Sequence, residues 1–200
     1  MNYSAFKDNH GLPSNPWNAL VIPRPIAWIS TLHKGVHNLA PFSYFQTIGG
    51  CFESPYYVSV TIGKGKDTLR NIEETQEFVA NFVTYKMRNK MNLSGKSFSR
   101  NDSEFIKSEV EKTISFVVKP WRVVDSPISL ECELHQIIPL PDDNNDIPFY
   151  SVIGRVVHVY INDKFIENGI VDTVKMNLIA RLGYNEYTTI NSSWKMDKCL

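Results

Sequence analysis

Apolar positions in this chain come in short runs, bounded by Gly, Pro, Asn and Asp. Ile26–Leu32 is dense in β-branched and aromatic residues and predicts a strand. His33–His37 contains Gly35 and predicts a hairpin loop. Asn38–Tyr44 resumes as a strand in which Pro41 marks a bulge or an edge. Tyr56–Ile62 alternates large and small side chains and predicts a third strand, closed by the turn Gly63-Lys64-Gly65-Lys66. The period then changes. Leu69 and Ile72 suit a short helix over Thr68–Gln76, with Asp67 placed to be its N-cap. Phe78–Val83 predicts a strand and Tyr85–Leu93 a helix, while residues 94–105 are polar and predict a loop. Further strands are expected at Ile114–Val118, Ile128–Pro139 and Phe149–Ile161, the last two joined through an acidic tip at Asp142–Asp146. Lys175–Arg181 suits either helix or loop. The pattern divides the chain into an N-terminal arm (1–20), one domain (21–190) and a C-terminal tail (191–200).

Strands outnumber helices and follow one another at hairpin spacing. A mainly β architecture, an antiparallel barrel with added helices, is therefore expected rather than a doubly wound sheet. A Rossmann unit has no room, and no Gly-x-Gly-x-x-Gly occurs. With 200 residues the chain is long enough for one real core. Its 21 basic and 21 acidic residues balance, which argues against a nucleic-acid partner but leaves room for a local basic patch. No run is long and apolar enough for a membrane helix, and the first residues lack the apolar stretch of a signal peptide. Cys51, Cys132 and Cys199 are few, distant and odd in number. They read as reduced thiols, and a cytoplasmic location is expected.

Metal and nucleophile signatures are missing: there is no His-Glu-x-x-His, Cys-x-x-Cys or Gly-x-Ser-x-Gly. His33 and His37 flank a turn and read as solvated, and His158, in mid-strand, reads as a wall residue. Gly63-Lys64-Gly65-Lys66-Asp67-Thr68 is more informative because it runs into a helix. A helix N-terminus offers unpaired N–H groups and a positive dipole end, Lys66 adds charge, and Thr68 adds a donor. The same residues also make an ordinary capped helix after a polar turn. Ser30 and Thr31, set against Ser43 on the adjacent strand among aromatic residues, could wall a flat ring or could be a barrel's hydroxyls.

Arg24-Pro25-Ile26-Ala27-Trp28-Ile29-Ser30-Thr31, followed by Gly35 and by Asn38-Leu39-Ala40-Pro41-Phe42-Ser43-Tyr44-Phe45, resembles the opening signature of the flavin reductase-like, FMN-binding split-barrel family. Lys66–Ile72 resembles its second motif. Asp125–Cys132 and Ile153–Val159 resemble later strands, and Arg181-Leu182-Gly183 with Tyr187 resembles the C-terminal element. The resemblance runs in order from about Val21 to Tyr187. It implies a Greek-key split barrel, an FMN cofactor, a homodimer with the flavin near the interface, and NADH or NADPH as electron donor. Carried over by motif, Ser30, Thr31, Ser43, Lys66, Asp67 and Thr68 would line the phosphate and ribityl chain. Ala40, Pro41, Phe42 and Tyr44 would lie near the ring, with Arg24 and Arg181 at the margin. The chain departs from the family pattern at Ser54-Pro55-Tyr56, where paired prolines are common, and at Tyr184, where a second glycine is common. The implied activity is FMN-dependent, NAD(P)H-linked electron transfer. A non-enzymatic FMN electron carrier and an oxygenase-like flavoprotein are the alternatives, since all three need the same phosphate grip and ring wall.

Overall fold

The computed structural model describes residues 1–5, 7, 9–50 and 54–197. Cys51 and Cys199 lie outside them; Cys132 is a buried free thiol. A short helix, α1 (Trp17–Leu20), precedes β1 (Arg24–Pro25), β2 (Ala27–His33), β3 (Val36–Phe42), β4 (Phe45–Gly49) and β5 (Tyr57–Gly63). Helix α2 (Asp67–Thr75) leads to β6 (Glu77–Phe82), and a turn of 3-10 helix (Tyr85–Met87) runs into α3 (Arg88–Ser94). After α4 (Glu104–Lys107) come β7 (Lys112–Thr113), β8 (Arg122–Val123), β9 (Ile128–Leu140) and β10 (Phe149–Ile161). Short pairs complete the chain: β11 (Ile166–Glu167) with β12 (Ile170–Val171), and β13 (Ile179–Arg181) with β14 (Tyr187–Thr189).

The main sheet is antiparallel in the order β3-β2-β6-β9-β10-β5-β4. It curls on itself, because one apolar core takes Ala27 and Ile29 from β2, Val58, Val60 and Ile62 from β5, Phe78 from β6, Cys132 from β9 and Val152 from β10. The two sheet edges, β3 and β4, are joined by Ser43 and Tyr44 alone, so the barrel is split there. Pro41 on edge strand β3 fits that position, since a proline cannot donate to a second neighbour. The β2–β3 turn is Lys34–Gly35, with φ of 46° and 85°, the left-handed pair that matches strand twist in a two-residue hairpin. The long strands β9 and β10 bend at register shifts near Gly154 and His158. The Phe78 ring fills the space a Cβ at Gly154 would need, 2.3 Å away, which fixes glycine at the bend.

β2 is buried on both faces. Its odd positions face the barrel, while Trp28 faces a second core made with Leu39, Met87, Met91, Phe105, Val123 and Ile179. The Trp28 indole donates to Ser94 Oγ (2.8 Å), which fastens the end of α3 to the barrel wall. Helix α2 buries Leu69 and Ile72 against the barrel and ends at Gln76, in the left-handed conformation. Among the described residues no helix is long and apolar enough to cross a membrane.

Four expectations are corrected. Ile114–Val118 is not a strand. The buried Glu131 carboxylate accepts from the N–H groups of Phe116, Val117 and Val118 (2.8, 2.7 and 3.2 Å) and so replaces a ladder with a side-chain anchor. Asp67 is the first residue of α2 rather than its N-cap; that position is Lys66, whose ammonium has no acceptor for a helix N–H and makes no side-chain cap. Residues 94–105 are not all loop, since α4 starts at Glu104. Residues 179–181 form β13, paired with β1 and β14.

Candidate functional site

Three cavities follow one another past edge strand β3. The first, about 270 Å³, lies at the start of α2 between Gly65-Lys66-Asp67-Thr68 and the chain after α3, with Asn38 and Ala40 as its floor. The second, about 370 Å³, shares Gly95 and Lys96 with the first and runs along Pro41, Phe42 and Ser43 to Arg181 and Tyr187. The third, about 360 Å³, shares Ser43 with the second and is walled by Arg24, Tyr44, Trp17 and Val21. Together they form a groove from a helix N-terminus, over an apolar strand edge, to an aromatic end. Gly95 sits at the waist: a Cβ there would stand 3.3 Å from Pro41 Cγ and crowd the passage.

The local sequence explains each wall. Lys66 is held extended (φ −70°, ψ 137°), turning the chain into the helix. The N–H groups of the first turn have no acceptor within the helix, and Asp67 and Thr68, which carry two of them, line the cavity. Lys66 and Lys96 bring two cations to that cavity; Asp67 and Glu104 are its acids. Asp67 is drawn toward Arg70 (3.7 Å) and Arg100 (4.0 Å). Glu104 is buried and accepts from Leu39 N–H (3.1 Å); burial foremost raises its pKa, an effect opposed by that hydrogen bond.

Ala40, Lys66, Asp67 and Thr68 line the first cavity, Pro41, Phe42, Ser43 and Arg181 the second, and Arg24, Ser43 and Tyr44 the third. Ser30 and Thr31 line none of them. Both are fully buried, Ser30 donating to Trp121 O (2.7 Å) and Thr31 to Asn38 Oδ1 (3.3 Å). Thr31 also accepts from Asn71 Nδ2 (3.0 Å), and Thr68 Oγ1 donates to Asn38 Oδ1 (3.0 Å). Thr31, Asn38, Thr68 and Asn71 therefore form a buried network under α2, in which the hydroxyls already have partners. Arg24 is likewise committed. Its guanidinium donates to Asn18 O (2.6 Å), Val21 O (2.7 Å) and Leu182 O (2.9 Å), and lies 5.4 Å from the Tyr44 ring centroid. It clasps α1 and the chain after β13 onto the rim, where Gly183 meets Ala19 at a distance no Cβ could share. Arg181 bonds the Tyr187 hydroxyl and the Tyr184 carbonyl.

Sequence reading missed Asn38, Glu104 and the Gly95-Lys96-Ser97-Phe98 wall. Lys96 had a legible signal, a cation beside glycine in a polar loop, but its approach to β3 depends on tertiary packing. His37 is also not the solvated residue expected. It is buried beside Trp121 (centroids 4.9 Å apart) and Phe105, and burial with the nearby Lys112 lowers its pKa to about 4. His158 packs against the Phe116 ring (4.7 Å), as a wall residue should. Tyr184 lies outside the lining of the groove and is held at φ 52°, a left-handed backbone that explains the glycine of the family pattern.

Comparison with known proteins identifies the family and the fold. The family model described as the flavin reductase like domain matches residues 19–175. An uncharacterized protein of Aquifex aeolicus is 31% identical over 175 residues, covering 84% of this chain and 85% of its own. Nitrilotriacetate monooxygenase component B from Bacillus cereus superposes with a TM-score of 0.89 at 25% identity, covering 98% of both chains. The Pseudomonas fluorescens 2-nitrobenzoate 2-nitroreductase NbaA superposes with a TM-score of 0.85 at 27% identity, covering 100% of this chain and 96% of its own. With its split antiparallel barrel and its groove along β3, the chain belongs to the flavin reductase-like domain family.

Proposed function

We propose that the β3 groove binds FMN and that the protein is an FMN-dependent oxidoreductase of the flavin reductase type, taking its electrons from NADH or NADPH. The observation that carries the reading is the α2 N-terminus. Its unpaired N–H groups, with Lys66 and Lys96, open onto one end of a groove that continues over Ala40, Pro41 and Phe42. The donor set fits a single terminal phosphate, with first-turn N–H groups to donate to its oxygens and two ammonium groups to balance its charge. Ala40 and Pro41 would flank the ribityl chain. Phe42, Ser43 and Tyr44 would bound the ring, which needs apolar contact on its face and polar groups at its edge. Thr31 and Thr68 would act from beneath, by fixing Asn38 and the start of α2, and Ser30 by holding Trp121. A flavin held there would supply the two-electron chemistry that links a reduced nicotinamide to an onward acceptor. This chain's residues are then left to bind, orient and exclude water, which fits a groove with no nucleophile–base pair among its lining residues. The similarity to a nitroreductase and to a monooxygenase component supports an oxidoreductase.

Calorimetric titration with FMN and with FAD, followed by addition of NADH or NADPH, tests the proposal. FMN should bind more tightly than FAD, because the groove has one phosphate grip, and oxidation of the nicotinamide should follow. Clearly tighter FAD binding overturns the cofactor assignment. Bound FMN without nicotinamide oxidation replaces the reductase by an electron carrier.

A further inference from the structure

A fourth cavity opens beside the groove. It measures about 520 Å³ and lies between Tyr85, Arg88 and Asn89 on one side and β13, Asn185 and β14 on the other. Met91, Asn92, Arg181 and Tyr187 line both this cavity and the middle of the groove, so the two are continuous. Two guanidinium groups, Arg88 and Arg181, face it, and no Asp or Glu lines it. Among the described residues neither arginine has a carboxylate partner within salt-bridge distance.

Each arginine is instead positioned by a tyrosine. Arg88 lies 3.8 Å from the Tyr85 ring centroid and donates to the Tyr85 carbonyl (2.9 Å). Arg181 lies 4.6 Å from the Tyr187 ring centroid and donates to its hydroxyl. Stacking on a ring and bonding to neutral oxygens orients a guanidinium without cancelling its charge. A cavity with two uncompensated, pre-oriented cations and no acid in its wall suits a polyanion. Asn89, Asn92 and Asn185 add amide groups of the kind that pair with sugar hydroxyls. By contrast, the cavity at the other end of the groove is walled by Trp17, Val21, Pro23 and Tyr44, and its one guanidinium, Arg24, is occupied by three carbonyls.

We propose that this cavity holds the phosphate-bearing, nicotinamide-free part of the reducing dinucleotide, with Arg88 and Arg181 on its pyrophosphate. The inference rests on reading the adjoining groove as the flavin site, since the shared wall at Met91, Asn92, Arg181 and Tyr187 is where the nicotinamide end would pass toward the ring. Arg88 lines only the fourth cavity, so it separates the two sites.

Calorimetry of the purified protein with ADP-ribose, and with benzoate as a small organic anion, tests the site directly. ADP-ribose should bind, and Arg88→Gln should weaken it about tenfold, the loss expected for one charge-assisted contact. Arg88→Lys should recover part of the affinity. In turnover, ADP-ribose should compete with NADH, and Arg88→Gln should raise KM for NADH more than it lowers kcat. FMN affinity, titrated separately, should be the same in Arg88→Gln and the parent protein. Failure of ADP-ribose to bind, or equal binding to Arg88→Gln, overturns the proposal. Arg88-dependent binding of benzoate alone replaces the nucleotide by a carboxylate substrate. Loss of FMN binding by the parent protein would refute the flavin reading, while the ADP-ribose titration would still decide this one.

Discussion

Lys66 and Thr68 stand two residues apart at the start of α2, yet they act on different sides of it. Lys66 borders the cavity, and among the described residues no ion pair or side-chain cap hydrogen bond holds it. Lys66→Ala should weaken FMN binding by roughly tenfold or more, as expected for a charge-assisted contact, and leave the urea midpoint where it is. Thr68 is buried, and its hydroxyl serves Asn38. Thr68→Val leaves the Asn38 carbonyl one donor short and should cost about 1 kcal/mol of stability as well as affinity. Paired urea unfolding and FMN titration of the two variants would separate these effects. Unchanged FMN affinity in Lys66→Ala would remove the phosphate assignment. At this scale the sequence was informative about residue type but not direction. Ser30, Thr31 and Thr68 announced hydroxyls near the site, but whether each faces a cavity or a neighbour depends on Trp121, Asn38 and Asn71, which arrive from other elements. Asp67 was expected to cap α2; one position further along, its carboxylate instead favours the helix dipole and approaches Arg70 and Arg100.

The segment between α3 and α4 carries Lys96 over the first cavity and is pinned to α2 by one side chain. Arg100 pairs with Glu74 (2.8 Å) and also reaches His33 Nδ1 (3.1 Å) and Asn71 Oδ1 (3.3 Å). Arg100→Met should loosen that segment and speed FMN release several-fold, with a smaller effect on association, because most affinity changes of this kind fall on dissociation. Fluorescence recovery after rapid dilution of the flavin complex measures it, and an unchanged release rate would deny the segment a closing role. The β2–β3 hairpin carries a pH dependence of its own. Burial, aided by Lys112, lowers the His37 pKa from 6.5 to about 4 in the folded chain. The unfolded chain therefore takes up this proton first, and stability should fall as pH drops from about 6.5 toward 4, then stop depending on His37 below that. The raised pKa of Glu104 acts in the opposite sense, so the informative quantity is the difference between parent and His37→Gln. Between pH 7 and pH 5 the parent's urea midpoint should fall relative to the variant's. Elements defined by local pattern, such as β2, β3, β5 and α2, were legible in the chain. Ile114–Val118 was not, because nothing local signals that Glu131, thirteen or more residues later, will take its N–H groups.

For the whole molecule, the question is what covers the apolar surface that the barrel and its helices leave outside. Consecutive apolar residues in Val152–Ile161 and Ile114–Val118 call for burial on both faces, with helices or a second copy as the cover. In the single chain neither run is fully covered. Ile114, Phe116 and Val117 are 66%, 63% and 57% exposed, beside Val159 at 42%. Phe116 packs on His158 and lies near Tyr160, over which Arg122 stacks at 3.8 Å, so the patch is ordered rather than a loose loop tip. A second apolar surface rims the aromatic end of the groove, where Trp17, Val21 and Tyr44 are exposed around the third cavity. Contiguous surfaces of this kind mark association sites, and a two-fold partner is the commonest way to cover them. The active form is therefore expected to be a homodimer whose partner closes the groove, which would make flavin retention depend on assembly. Light scattering combined with flavin fluorescence across a dilution series should show release of FMN as the dimer dissociates. Phe116→Glu and Val21→Glu should each be compared in the same assay: the variant that shifts dissociation to higher protein concentration locates the interface, and if it is Val21→Glu, flavin should be lost in step. A monomer that holds FMN with unchanged affinity at every concentration would defeat the expectation, and Arg24, Tyr44 and the α1 arm would then have to close the ring end of the groove within one chain.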